Sequence, residues 1–182
     1  KQLSIPEEAF VYLFFGNARM YKGLEALIDA FCAVAEADAR LVLMTRRSFG
    51  GEYADEVIAL TERDERILVF TSPFFENEEF QIYLNAADVV TLPFSEVLTS
   101  GTAISALSFG KPVVLPRRGC LPELIDETMG VLYDPKEAQG LERALVEIRE
   151  RDLRAAGRAG VERAQSLDWD GIAERVAQVY RG

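Results

Sequence analysis

Histidine is absent from this 182-residue chain, and cysteine is scarce, occurring only as Cys32 and Cys120. Neither a Cys-x-x-Cys pair nor a cluster of Cys and His is present, so the usual zinc sites are excluded and we expect no metal. The imidazole that most often carries general acid–base chemistry is missing too. Two separated cysteines are typical of a reducing compartment, which favours a cytoplasmic location but leaves a disulfide open.

Positive charge is in the minority. The chain has 20 basic and 30 acidic residues, a formal net charge of −10. Such a surface repels nucleic-acid phosphates and anionic lipid headgroups, so neither is expected as a partner of the whole surface. The simplest role of this charge is solubility. An anionic ligand therefore requires a local cluster of donors that works against the net field.

Long apolar runs are also missing, and none reaches the roughly 20 residues that span a bilayer. The chain begins at Lys1 rather than at Met, so we expect a fragment of a longer protein. Short apolar runs alternate with longer amphipathic ones, which predicts one doubly wound α/β domain over residues 1–182, with a Rossmann-like parallel sheet of about six strands. The predicted strands are Phe10–Phe15, Arg40–Thr45, Ile67–Thr71, Asp88–Leu92, Pro112–Leu115 and Gly130–Tyr133.

Helices are predicted between and after these strands from apolar residues at helical spacing. Asn77 is predicted to cap the third helix, with Glu78 and Glu79 in its first turn. Gly110 is predicted to end the fourth helix. The predicted helices begin near Gly23, cover Glu52–Thr61, Asn77–Ala87, Gly101–Phe109, Pro122–Ile125 and Glu137–Arg149, begin again near Asp152, and end with Asp170–Tyr180.

Parallel sheets of this kind bind ligands at the carboxyl ends of their strands. The loops expected at that edge are Gly16–Lys22, Thr45–Gly51, Ser72–Glu76, Pro93–Ser100 and Pro116–Leu121. The first of them begins with Gly16 and Asn17 and carries Arg19 and Lys22 at the mouth of a helix, a pattern suited to an anion. Two solvated surface cations are the alternative. The loop lacks the Gly-x-Gly-x-x-Gly pattern of nicotinamide-type sites and the Walker A pattern.

The loop after the fourth strand offers a second anion cradle. Thr99, Ser100 and Thr102 flank Gly101 at the start of a helix, where exposed backbone N–H groups meet hydroxyl donors. Ordinary helix capping by Ser or Thr is the alternative. Two cradles at the ends of strands in one sheet favour a diphosphate ligand. Phe74 and Phe75, after the third strand, either face a nucleobase or pack onto the next helix.

Four motifs, taken together and in this order, resemble the group 1 glycosyltransferases (family four, retaining). They are Gly16…Lys22-Gly23, Ala86-Ala87-Asp88, Gly110-Lys111-Pro112-Val113-Val114 and Gly119-Cys120-Leu121-Pro122-Glu123. The resemblance covers about residues 8 to 180. It implies the C-terminal half of a GT-B fold, in which this half binds a nucleotide-sugar donor and the absent N-terminal half receives the acceptor. It also implies that the last helix, with Ile172 and Tyr180, crosses to the other half.

The resemblance assigns roles to individual positions. Lys22 matches the lysine that contacts the donor diphosphate, while the arginine that precedes it by five residues is replaced by Asn17, so Arg19 is expected to substitute. The first glutamate of the family's acidic pair falls at Val97, beside Glu96, and the second falls at Ser105, which would contact the ribose less strongly. The implied catalytic residues are therefore Lys22, Arg19 and Glu96, and the implied donor-binding residues are Gly16, Asn17, Phe74, Phe75, Thr99, Ser100, Gly101, Thr102 and Ser105.

The resulting hypothesis is transfer of a sugar from a nucleoside-diphosphate sugar to a glycan or lipid-linked acceptor, with retention and without a metal. Val97 and Ser105 keep a second hypothesis open, a degenerate domain that binds nucleotide or a partner without catalysis. A nucleotide-sugar epimerase of the same fold is a third, weaker one, because the acidic and histidine residues expected of it are not seen.

Overall fold

The computed structural model describes residues 3–46 and 52–181 of the chain. Six strands form one sheet in the order β3–β2–β1–β4–β5–β6, and all neighbouring pairs are parallel. The predicted doubly wound sheet is thereby confirmed. The strand order reverses beside β1, the place where open α/β sheets form ligand crevices. The strands are β1 (Phe10–Asn17), β2 (Ala39–Arg46), β3 (Ile67–Ser72), β4 (Val89–Thr91), β5 (Val113–Pro116) and β6 (Gly130–Tyr133).

Helices connect the strands and cover the sheet. A short 3-10 turn, Met20–Lys22, precedes the first of them. The helices are α1 (Leu24–Val34), α2 (Glu52–Thr61), α3 (Asn77–Ala86), α4 (Gly101–Ser108), α5 (Leu121–Leu124), α6 (Gly140–Arg149), α7 (Leu153–Gln165) and α8 (Trp169–Arg181). Leu24, Leu27, Ile28 and Phe31 are fully buried, so the predicted apolar face of α1 is the face that packs on the core.

The register of the sheet sets the geometry of its carboxyl edge. β1 pairs with β2 along its whole length, from Phe10 opposite Ala39 to Asn17 opposite Arg46. The β2–β3 ladder ends at Arg46 opposite Ser72. Because paired residues on parallel strands project to the same face, Asn17, Arg46 and Ser72 form one row across three strand ends.

Two predicted helix starts were wrong. Glu76, not Asn77, caps α3: its side chain accepts from the backbone of Glu79, and the Glu79 carboxylate accepts from the Glu76 N–H at 3.1 Å, which completes a capping box. The helix predicted from Glu137 begins at Gly140, because Gln139 adopts φ 60° in the left-handed region, where a helix cannot continue.

Two charged residues of the quoted motifs maintain the opposite, amino-terminal edge of the sheet. The Asp88 carboxylate accepts a hydrogen bond from the Val11 N–H at 2.7 Å, at the start of β1. The Lys111 ammonium donates to the carbonyl of Ala87 at 2.8 Å. Both contacts satisfy backbone groups where strands begin, so these two motif positions support the fold and lie away from the carboxyl edge.

The last helix, α8, carries an apolar face that packs against little of the described chain. Trp169, Val179 and Tyr180 are 83%, 81% and 87% exposed. Val176, on the same helix, is half exposed. Among the residues that the structure describes, no helix is both long enough and apolar enough to cross a membrane.

Candidate functional site

A cavity of about 300 Å³ opens at the carboxyl edge, where the loops after β1, β2, β3 and β4 meet. Its described wall contains two cations and neither Asp nor Glu, in a protein whose net charge is −10. The predicted residues Gly16, Asn17, Lys22, Phe75 and Thr102 all line it. The complete described wall is Phe15, Gly16, Asn17, Tyr21, Lys22, Met44, Arg46, Phe75, Phe80 and Thr102.

The loop after β1 is shaped by two glycines with positive φ. Gly16 adopts φ 140° as the strand ends, and Gly23 adopts φ 68° between the 3-10 turn and α1. The Lys22 N–H donates to the Arg19 carbonyl at 2.8 Å, which closes the turn. The left-handed region is costly for residues with a Cβ, so the glycines allow the chain to reverse and present Lys22 at the mouth of α1.

The loops after β1 and β4 form one packed unit. The Ser95 N–H donates to the Tyr21 carbonyl at 2.9 Å. A Cβ on Gly23 would lie 2.1 Å from the Pro93 carbonyl oxygen, closer than any side chain permits. Gly23 is therefore required for the contact between these loops. This contact places the two predicted anion cradles side by side.

Lys22 is a half-buried cation with aromatic neighbours. Its Nζ lies 4.5 Å from the ring centroid of Phe94 and 5.3 Å from that of Tyr21. No ion pair joins it to any carboxylate of residues 3–46 and 52–181. Desolvation, and secondarily the positive charge of Arg19, lower the pKa of Lys22 below its ordinary 10.5. Cation–π contact compensates only part of the lost hydration, so an anion brought to this ammonium would be stabilised.

The start of α4 supplies the second cradle. Ser100 is the N-cap, and its hydroxyl oxygen accepts from the Ala103 N–H at 3.1 Å. The capping role considered from the sequence therefore applies to Ser100, which is buried. The amides of Gly101 and Thr102 have no intrahelical acceptor, as at every helix start. A Cβ on Gly101 would meet no atom within 4 Å, so this turn is open on its outer side.

The two aromatic residues after β3 occupy different positions. Phe75 lines the cavity, and its ring packs edge-on against Tyr83 of α3 at 5.7 Å. The packing onto the next helix is therefore observed, and a contact between Phe75 and a nucleobase stays a prediction. Phe74 is 55% exposed and does not line the cavity. Its ring instead lies 4.7 Å from the guanidinium carbon of Arg46.

Several predicted residues are near the cavity without lining it. Arg19 and Thr99 are exposed, and so is Glu96, in the loop before α4. Ser105 is half-buried on α4. The loop after β5 packs beside this region: Gly119 has φ 52°, and the Cys120 N–H donates to the Leu98 carbonyl at 2.8 Å. The ligand roles of these residues stay predictions.

Sequence reasoning missed five residues of the described wall: Phe15, Tyr21, Met44, Arg46 and Phe80. Arg46 had an available signal, a cation directly after an apolar strand within a loop already expected at the carboxyl edge. Tyr21 had one too, because it lies within the loop Gly16–Lys22 that was expected at the same edge. Phe15, Met44 and Phe80 had none, because they reach the cavity from strands or a helix whose faces only the packing defines. The rest of the loop that contains Arg46, residues 47–51, lies outside the part of the chain that the structure describes.

A family model described as "Glycosyl transferases group 1" matches residues 9–151. A D-inositol 3-phosphate glycosyltransferase from Corynebacterium aurimucosum is 31% identical over 99% of this chain and 45% of its own length. An MMP alpha-(1->4)-mannosyltransferase from Mycolicibacterium hassiacum is 29% identical over 87% of this chain and 39% of its own length. The chain thus spans less than half the length of these relatives.

Solved structures share the fold over nearly the whole chain. Sucrose-phosphate synthase from Thermosynechococcus elongatus matches with a TM-score of 0.83 and 27% identity, over 99% of this chain and 47% of its own. HepE from Anabaena, solved with UDP and glucose, matches with a TM-score of 0.81 and 23% identity, over 100% of this chain and 50% of its own.

Proposed function

This chain belongs to the group 1 glycosyl transferase family, and we propose that it is the half of such an enzyme that binds a nucleoside-diphosphate sugar. The observation that carries the proposal is the cavity at the carboxyl edge, where Lys22 and Arg46 lie without a carboxylate in the described wall. In a protein of net charge −10, a cavity whose described charged groups are both positive favours an anionic ligand.

The dimensions and surroundings of the cavity suit a nucleotide. Its volume of about 300 Å³ is at the lower end of the range for small-molecule sites. Phe75 and Phe80 give one side an aromatic wall for the base, while Lys22 and Thr102 stand on the side where α1 and α4 begin. Lys22 precedes α1, Thr102 lies in the first turn of α4, and both line the cavity, which supports a diphosphate lying between the two helix starts.

In the proposed reaction, an acceptor hydroxyl bonds to the anomeric carbon of the sugar as the bond from that carbon to the diphosphate oxygen breaks, and the hydroxyl proton passes to the departing diphosphate. Lys22 stabilises the charge that develops on the diphosphate. The Gly101 and Thr102 amides and the Asn17 side chain add hydrogen bonds to the same group. Arg19 and Glu96 are retained as catalytic candidates on the basis of the resemblance alone. Retention of configuration and independence from metals belong to the proposal on the same basis, and both can be tested on the full-length enzyme, the second with a chelator.

The acceptor is proposed to bind through the N-terminal half, which this chain does not include. From the resemblance we propose a glycan or lipid-linked acceptor, whereas the two relatives above are named as a D-inositol 3-phosphate glycosyltransferase and an MMP alpha-(1->4)-mannosyltransferase. The exposed apolar face of α8 is proposed to pack against that half. We also propose a cytoplasmic location, which the free thiols Cys32 and Cys120 support.

Calorimetric titration with UDP, GDP and ADP, and then with their sugar conjugates, tests the proposal. UDP comes first because the HepE structure contains it. We expect saturable binding of one nucleotide, weakened in Lys22→Ala by about 1.5–3 kcal/mol, the scale of a charged hydrogen bond. Absence of binding by all three would contradict the proposal and favour a domain that no longer holds a donor. The relatives' glycosyltransferase names favour the enzyme.

A further inference from the structure

Arg46 is the second cation of the cavity, and no role has been assigned to it so far. It is the last residue of β2, is half-buried, and lines the same wall as Lys22. It makes no ion pair with a carboxylate of the described chain. A guanidinium that is partly removed from water and lacks a counter-charge is poised to bind an anion.

The sheet register places Arg46 beside the loop after β1. Arg46 is the direct partner of Asn17 across the β1–β2 ladder. Neighbouring strands lie about 4.8 Å apart, and paired side chains leave the sheet on the same face. The long side chain of Arg46 therefore enters the space beside the short side chain of Asn17, and both line the cavity.

A cation–π contact with Phe74 supports the guanidinium of Arg46. The Arg46 guanidinium carbon lies 4.7 Å from the ring centroid of Phe74. Ser72, the partner of Arg46 on β3, fixes the turn that carries Phe74: its hydroxyl donates to the Phe74 carbonyl and accepts from the Phe74 N–H at 3.3 Å. A cation–π contact of this kind supports the guanidinium and leaves its N–H groups available to an anion.

Arg19 is the competing candidate for the second cation, and its position is less favourable. It is exposed, it precedes the 3-10 turn in extended conformation, and it does not line the cavity. We infer that Arg46, supported by Phe74, is the residue that joins Lys22 in binding the phosphate groups of the ligand, and that Arg19 contributes only through the surrounding field. The inference rests on the proposed function, because it assigns a contact within that site.

The test compares Arg46→Ala with Arg19→Ala in titrations with UDP, GDP and ADP and with the corresponding monophosphates. For the diphosphate that the unaltered chain binds best, Arg46→Ala is expected to lose about 10- to 100-fold in affinity, the equivalent of one charged hydrogen bond. The loss should be smaller for the monophosphate of the same nucleoside, because one phosphate group fewer is available to the guanidinium. Arg46→Lys should restore part of the affinity through its charge.

Arg154, exposed on α7, provides the control, because Arg154→Ala changes the net charge equally and should leave binding unchanged. Thermal unfolding of each variant separates lost binding from lost folding. If the unaltered chain binds a nucleotide and Arg46→Ala binds it equally well, or if Arg19→Ala takes the whole loss, this inference fails and the proposed function stands. Equal losses for diphosphate and monophosphate would assign Arg46 to the nucleoside and also overturn it. If the unaltered chain binds none of the nucleotides, both fail.

Discussion

Lys22 and Lys111 lie at opposite edges of one sheet, and they are half-buried to a similar degree. Desolvation lowers the pKa of both ammonium groups below the ordinary 10.5. Lys111 donates to the Ala87 carbonyl at 2.8 Å, and Asp88 is near enough to raise its pKa in part. Lys22 has Phe94 and Tyr21 as neighbours, and the charge that acts on its pKa is that of Arg19, another cation, which lowers it further. Similar burial thus accompanies a hydrogen bond that supports the fold at one edge, and at the other edge a cation with no ion-pair partner among the described residues.

Substitution of Gly23, which follows Lys22, should have the greatest effect on stability. Gly23→Ala forces a Cβ to within 2.1 Å of the Pro93 carbonyl oxygen and keeps a positive φ, so the contact between the loops after β1 and β4 is lost. We expect a loss of about 2–5 kcal/mol in the free energy of unfolding, from the left-handed conformation and overpacking together. Urea denaturation measures it.

Gly101→Ala is the matched control, because an added Cβ there meets no atom within 4 Å and the backbone is helical. Its stability should be within about 0.5 kcal/mol of the parent. If Gly23→Ala proves equally mild, the two loops are not held by this contact.

The pH dependence of nucleotide binding tests whether the charge of Lys22 attracts the ligand. Only the ammonium form of Lys22 attracts a diphosphate, and its pKa lies below 10.5, so affinity should begin to fall at a pH below 10.5. The full loss should approach about 1.5–3 kcal/mol. Lys22→Arg keeps its charge throughout and should bind with a flat profile over the same range.

The sign of the stability effect follows from the same shift. The unfolded chain holds the Lys22 proton more tightly than the folded chain, so this group's contribution to stability rises as the pH increases through the folded pKa. If nucleotide affinity depends on pH in the same way in the parent and in Lys22→Arg, Lys22 does not govern binding.

Lys111→Met addresses the opposite edge. The substitution leaves the Ala87 carbonyl, in a buried residue, without its donor, so we expect a loss of about 1–3 kcal/mol in the free energy of unfolding. Lys22→Met removes no hydrogen bond of the described chain and should cost less. Denaturation of the two variants side by side decides this, and an equal loss would remove the distinction between a structural and a ligand-binding lysine.

The smallest expected effect concerns Ser105. The resemblance places a ribose-binding glutamate at this position, so Ser105→Glu should tighten nucleotide binding by about 0.5–1.5 kcal/mol, the scale of one hydrogen bond. Ser105→Gln is the control for side-chain size without charge. Weaker binding by both variants would mean that the half-buried position on α4 has no room for a longer side chain.

The sequence predicted the fold more completely than the site. Continuous apolar runs such as Val11–Phe15 and the face of α1 led to the correct elements, because burial in a parallel sheet leaves a direct pattern in the residues. Lys22 and Asn17 were predicted from the strand–glycine–helix pattern and do line the cavity. Arg46 was missed although its loop was expected at the carboxyl edge, because its position beside Asn17 depends on the β1–β2 register, which is set by pairing between segments distant in the chain.

The cap of α3 and the contact between the loops after β1 and β4 were also not predicted from the sequence. Glu76 rather than Asn77 caps α3, because two glutamates three residues apart form a reciprocal box that outweighs one amide. The need for glycine at position 23 came from the Pro93 carbonyl, seventy residues later in the sequence, which local propensity cannot indicate.

The nucleotide affinities of the two lysine variants show whether Lys22, and not Lys111, binds the ligand. Calorimetric titration of the parent, Lys22→Met and Lys111→Met, each at a temperature where it is folded, gives three dissociation constants for the preferred nucleoside diphosphate. We predict that Lys22→Met loses about 10- to 100-fold and that Lys111→Met matches the parent. Unchanged affinity in Lys22→Met, with the parent binding normally, would contradict the assignment of the Lys22 cavity as the nucleotide site.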